Sequence, residues 1–121
     1  MHFTGIFMTE DSCQVFEVDK IKSQLSGQSV EYKEFLRVPT LSCGIYRLRT
    51  GSDDMQSPHD EDEVYYVVEG RARMMHGDNM MDVVPGTILY VKATYVKATE
   101  THSFFEIQEE LTLLVFFAAA S

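Results

Sequence analysis

The sequence predicts an all-β barrel with one short helix near its N-terminus. Three observations carry that prediction. Short runs rich in Val, Tyr, Phe and Ile recur between Gly, Pro, Asn and Asp turn signals along most of the chain. Helical periodicity is confined to one early segment. The chain has 121 residues and no Pro/Ser-rich linker, so we expect a single domain over 1–121.

The elements follow in order. Asp19 to Leu25 reads as the helix, with Asp19 near its start and Gly27 after its end. Gln14 to Val18 reads as a first strand. Glu31 to Val38 follows and stops at Pro39, and Ser42 to Thr50 stops at Gly51. Glu63 to Glu69 stops at Gly70. Arg71 to Met75 leads into the turn His76-Gly77-Asp78-Asn79. Met80 to Val84 ends at Pro85-Gly86, which suits the central positions of a type II turn. Thr87 to Val91, His102 to Ile107 and Thr112 to Ala118 complete the set. Such regular succession favours hairpins that close on themselves.

Residues 90–94 and 95–99 are both Tyr-Val-Lys-Ala-Thr, a local tandem duplication. Five is odd, so sliding a strand by one copy would turn every later side chain to the other face. We expect one copy to keep the strand and the other to be extruded as a loop or wide bulge.

Composition excludes several functions. The net charge is −9, which repels nucleic-acid backbones and anionic membranes. No basic, apolar leader precedes the first elements, and the apolar run at 111–120 is too short to span a bilayer. Cys13 and Cys43 are too few and too far apart for a disulfide framework or zinc ribbon, so we expect reduced, mostly buried thiols and a cytoplasmic protein. Of Met55, Met74, Met75, Met80 and Met81, adjacent members of a strand point to opposite faces, so they read as packing and not as a soft-metal site.

The chemistry concentrates in Gln56-Ser-Pro-His59-Asp-Glu61-Asp-Glu63 and the strand after it. His59 and Glu63 are four apart, which puts both on one face of an extended strand. An imidazole and a carboxylate facing inward are costly unless a charge lies between them, and a metal ion would supply it. Tyr65 and Val67 continue that face, while Val64, Tyr66 and Val68 line the other. His102 opens another apolar strand, where a barrel mouth would be. Beside His59 and Glu63 it would complete a two-histidine, one-carboxylate set suited to one divalent ion of Fe, Mn, Zn or Ni. Alternation sends Tyr46 and Leu48 inward and Arg47 and Arg49 outward, so Tyr46 and Tyr65 are candidate ligand contacts or core tyrosines with satisfied hydroxyls. Glu61 reads as a solvated mouth residue, and His76 as an exposed turn residue.

At these residues the chain resembles a small single-domain cupin, over about residues 40–118, the expected core barrel. Gly51, His59, Glu63 and Gly70 match the first motif of that family. Gly86 and His102 match the second when one pentapeptide copy is skipped. The resemblance implies a jelly-roll barrel, one metal ion held by His59, Glu63 and His102, a small-molecule ligand and a homodimer. The chain departs from the pattern at Ser57, where the family has its first His. Gln56, one position earlier, is a candidate neutral oxygen ligand. It departs again at Lys92-Ala-Thr94 (or Lys97-Ala-Thr99), where the family has Pro-x-Gly, and at Glu106, where it has Asn. Two functions stay open: a mononuclear metalloenzyme of oxygenase or isomerase type, and a non-catalytic small-molecule-binding barrel. In a third, weaker reading the duplication has disabled the site.

Overall fold

The computed structural model of the chain describes residues 12–54, 61–93 and 102–118. It contains α1 (Val18–Lys22), β1 (Val30–Val38), β2 (Leu41–Leu48), β3 (Glu63–His76), β4 (Asn79–Val83), β5 (Ile88–Val91) and β6 (His102–Ala118). Every strand pairing is antiparallel, and the strands run β1-β2-β6-β3-β4, with β5 also paired to β3. The fold is the mostly antiparallel β architecture with one short helix that the sequence predicts.

The main departure concerns β3 and β6. Sequence reading breaks each into two strands, at Gly70 and after Ile107. Both are continuous, and they pair from Glu63↔Phe117 to His76↔His102. The breaks are register shifts inside the ladder, at 67/69, 69/71 and 71/73. Gly70 has φ 103°, and a Cβ there would collide with the Glu110 carbonyl oxygen and Leu111 Cα. Glu106, opposite this region, takes φ 48°. These irregularities bend the two-stranded ribbon, as bulges do.

The bend also changes which side chains face inward. In β3 the buried positions are Glu63, Tyr65 and Val67 before Gly70, and Ala72 and Met74 after it. Parity switches from odd to even. In β6 it switches from His102 and Phe104 to Leu111, Leu113, Val115 and Phe117. These residues form the core with Tyr46, Leu48, Val83 and Val91. Burying each large apolar side chain contributes roughly 1.5–3 kcal/mol.

On β2, Tyr46 and Leu48 face that core as expected. Arg47 lies on the other face but is buried: its guanidinium donates to the Gln28 carbonyl at 3.3 Å and to Glu31 Oε1 at 3.4 Å. Glu31 also accepts the Ser26 and Gly27 N–H groups, and the Ser26 bond leads in holding its carboxyl below the usual range.

The helix is shorter than predicted. Ser23 Oγ bonds the Lys20 carbonyl, and Gln24 and Leu25 donate to carbonyls three residues back, so the α-helical ladder ends early. Ile21 is buried and Lys22 pairs with Glu69 and Glu110, which docks α1 near the ribbon's bend. The expected strand at 14–18 does not form, because no neighbouring strand offers it a ladder, and Val15 is exposed. Cys13 lies in the same stretch and is exposed, contrary to expectation. Cys43 is buried, its thiol pushed up by burial, and both are free thiols. Val84-Pro85-Gly86-Thr87 closes as a turn, with Thr87 N–H donating to the Val84 carbonyl at 3.0 Å and Gly86 at φ 91°. The first pentapeptide copy supplies Tyr90 and Val91 to β5. The second lies outside the described residues. No helix among the described residues is long and apolar enough to cross a membrane.

If Gly70 makes the bend, Gly70→Ala should destabilise far more than Gly86→Ala, where a Cβ meets nothing within 4 Å. Urea unfolding should show about 3 kcal/mol lost at Gly70 and about 1 kcal/mol at Gly86. Equal losses would remove the backbone approach as the cause.

Candidate functional site

Glu63 opens β3 and His102 opens β6. In a flat ribbon the antiparallel register would hold them at opposite ends, roughly 43 Å apart at about 3.3 Å per residue. The bend folds the ribbon over, and Glu63 Oε1 lies 3.2 Å from His102 Nε2. Both side chains are buried, Glu63 at 1% and His102 at 8% exposure.

Tyr65, two residues along the same face, brings its hydroxyl within 3.2 Å of the same ring nitrogen. Its ring packs edge-on against Phe104 at 5.1 Å and against His102 at 6.1 Å. One imidazole nitrogen therefore faces a carboxylate and a phenol together. Nε2 has either one proton or one lone pair. Protonated, it donates to Glu63. Unprotonated, it accepts from Tyr65 but sets its lone pair against the carboxylate.

Two atoms of this pair, Glu63 Oε2 and His102 Nδ1, are buried and have no hydrogen-bond partner among the described residues. Each such group costs about 1–3 kcal/mol. A cation between Glu63 and His102 Nε2 would offset the cost at Glu63 Oε2 and would not reach Nδ1, on the far side of the ring. A separation of 3.2 Å is also close to the distance of about 3 Å between neighbouring oxygen and nitrogen ligands bound at about 2.1 Å. The donor set and spacing fit a divalent ion.

His59 and Gln56, the other candidate ligands, lie outside the described residues. Among the described residues, no three His, Cys, Asp or Glu side chains converge as a metal-holding group. Tyr46 is buried and donates its hydroxyl to Asp54 Oδ1 at 2.6 Å. Glu61 is half-buried. His76 is half-buried on the inner face, the cross-strand neighbour of His102, and is not the exposed turn residue that the sequence suggests. The reason is that β3 runs through His76 and the turn begins only at Gly77.

Two residues near the site escaped the sequence reading. Asp54 accepts the Tyr46 hydroxyl and, through Oδ2, the Phe104 N–H at 2.8 Å. It ties the loop after β2 to β6 two residues past His102. No spacing in the sequence pairs Asp54 with position 104. Tyr32, 43% exposed at the edge of the interior face, covers Gly44 with its ring and lies 6.2 Å from Tyr46 and 6.4 Å from Phe117. Its phenol is pushed up to about 12 by burial, with the charges of Glu34 and Glu63 adding. The alternation of β1, which sets Tyr32 opposite Tyr46, is the signal that could have found it.

The comparisons place this geometry among known proteins. No family model matches the chain. An uncharacterized protein of Streptomyces coelicolor is 36% identical over 105 residues, spanning 87% of this chain and 95% of that protein. A cupin superfamily protein from Desulfitobacterium hafniense superposes with TM-score 0.66 at 16% identity, over 81% of this chain and 86% of its own. An RmlC-like cupin from Shewanella frigidimarina gives 0.62 at 15% identity, over 78% and 80%.

The Tyr32 phenol gives a pH test. Its folded pKa is raised, so the folded state keeps a proton that the unfolded chain has lost, and stability is full below pH 10 and falls as pH rises toward 12. Urea unfolding at pH 9 and 11 should show a smaller drop for Tyr32→Phe than for the parent chain. Identical drops would mean that this phenol is not the one held protonated.

Proposed function

The chain is a small cupin domain and belongs to one family with the Streptomyces coelicolor protein, and on that premise we propose that its barrel holds one divalent metal ion for a small oxygen-chelating ligand. The observation that carries the proposal is the buried Glu63–His102 contact, with a carboxylate oxygen left without a partner among the described residues. Glu63 and His102 would hold the ion. The motif match adds His59, and Gln56 is a further candidate. The ion would supply Lewis acidity, or activation of dioxygen, at positions the protein leaves open.

The chain's own residues define the surroundings. Tyr65, locked against Phe104, offers its hydroxyl to a ligand oxygen beside His102. Leu113, Val115 and Val67 exclude water from that end of the barrel. This arrangement suits a metalloenzyme of oxygenase or isomerase type. The second reading, a non-catalytic small-molecule-binding barrel with or without metal, is favoured by Ser57 in place of the family's first His and by the inserted pentapeptide before His102.

Metal content of the untagged protein tests the first reading. We expect near-stoichiometric metal, lost in Glu63→Ala and in His102→Ala. Added ferrous or manganous ion at a hundredfold over Kd should raise stability by about 2.7 kcal/mol. No metal after reconstitution would sink the metalloenzyme reading and leave the binding barrel.

We further propose a homodimer through the outer face of the sheet. Tyr66 pairs with Ile88 and Val64 with Tyr90, so their side chains adjoin on that face. Tyr66, Ile88 and Tyr90 are 40%, 67% and 63% exposed in the isolated chain, a contiguous apolar patch of the kind that marks interfaces. Light scattering should give the mass of two chains for the parent and of one for a Tyr66→Asp, Ile88→Asp variant. A monomeric parent would remove the proposal.

A further inference from the structure

A cavity of about 240 Å³ opens beside the Glu63–His102 pair. Register fixes its position. Val91, in its wall, is the cross-strand partner of Glu63, and His76, also in its wall, is the partner of His102. Directly paired residues share a face of the sheet, so the cavity and the pair occupy the same interior. Met74, Met81 and Leu89 make most of the wall apolar, and the exposed residues Tyr90 and Lys92 form its solvent-facing rim. The methionines suit this role, since their flexible thioethers adapt to irregular ligands.

The polar part of the lining has an unexpected sign. Acidic residues outnumber basic ones 19 to 10 in the chain, yet among the described residues no Asp or Glu lines the cavity. Lys92 and His76 do, with Asn79 adding a neutral amide. Neither Lys92 nor His76 has a carboxylate within ion-pairing distance among the described residues. The backbone around Lys92 is held on both sides. Val91 is in the ladder with Glu63, and Ala93 N–H donates to Asp62 Oδ1 at 2.8 Å.

We propose that this cavity binds a small monocarboxylate with an apolar body, its carboxylate taken by Lys92 and His76 and its body by Met74, Met81, Leu89 and Val91. Size supports the assignment. An apolar cavity of about 150 Å³ takes up benzene, so 240 Å³ has room for one ring or six-carbon chain with a carboxylate attached. Lysine and histidine both donate to an anion, and methionine and leucine do not compete for it. The inference deepens the barrel-site reading. It rests on that reading only for bringing the ligand against Glu63 and His102.

The test uses 4-fluorobenzoate and its neutral isostere 4-fluorobenzamide, titrated by fluorine NMR into the full chain stripped of metal by chelator. We expect the acid to bind at least about fivefold more tightly than the amide, the ratio for one partly exposed ion pair. Lys92→Met should bring the acid down to the affinity of the amide, and His76→Gln should weaken the acid more than the amide. Met81→Phe should abolish both by filling the cavity. Where that variant melts low, Leu89→Phe fills the same space. Equal binding of acid and amide, no binding of the acid, or a preference that survives Lys92→Met would overturn the carboxylate assignment. Binding that survives both cavity-filling changes would overturn the location. Cobalt uptake, read by its visible absorption in the same preparation, reports the metal reading separately. A stripped protein that binds the acid but never takes up cobalt would leave this inference standing and the metal reading fallen.

Discussion

The structure depends on one bend. β3 and β6 are the longest strands, and they pair along their whole length as one antiparallel ribbon. Laid flat, that ribbon would separate its two functional side chains by most of the width of the domain. Folded at Gly70, it becomes both walls of the barrel, with Glu63 on one wall facing His102 on the other. Gly70 permits the fold because the β6 backbone, at Glu110 and Leu111, passes where a side chain would stand. The core follows from the same bend, since the inward face of both strands changes parity there.

What the bend encloses is chemically mixed. Tyr65, Val67, Leu113 and Val115 are buried to within about a hundredth of their surface and are apolar in the main. A carboxylate and an imidazole placed among them weaken that core unless they gain a partner. Their mutual contact satisfies half of their polar atoms, and the other half has no partner among the described residues. Asp54 braces the arrangement from outside. It spends both carboxylate oxygens on Tyr46 and on the backbone just past His102.

The candidate site was legible to different depths. Glu63 and His102 were legible because their residue types stand at the spacing of known motifs, even across a duplicated pentapeptide. Tyr46 and Tyr65 were placed inside by simple alternation, which holds wherever a strand is regular. His76 was misread because it was assigned to the turn after Met75, whereas β3 runs through His76, which shares the inward face of Ala72 and Met74. Asp54 was invisible for another reason. Its partners, Tyr46 and Phe104, lie 8 and 50 residues away, and a contact between a loop carboxylate and a distant N–H leaves no periodic trace.

Sequence alone determined the mostly antiparallel β class, the position of most strand segments, and Glu63 and His102 as candidates for one site. Hydrophobic alternation and turn chemistry are local properties, and each is written within a few residues. Tertiary structure decided that two apparent strand ends are bends in continuous strands, which faces turn inward beyond them, and that a lysine and a histidine share a cavity. Those outcomes depend on how one backbone packs against another. A glycine that ends a strand and a glycine that lets a strand fold over its neighbour are the same residue in a sequence, and only the approach of Glu110 and Leu111 distinguishes them.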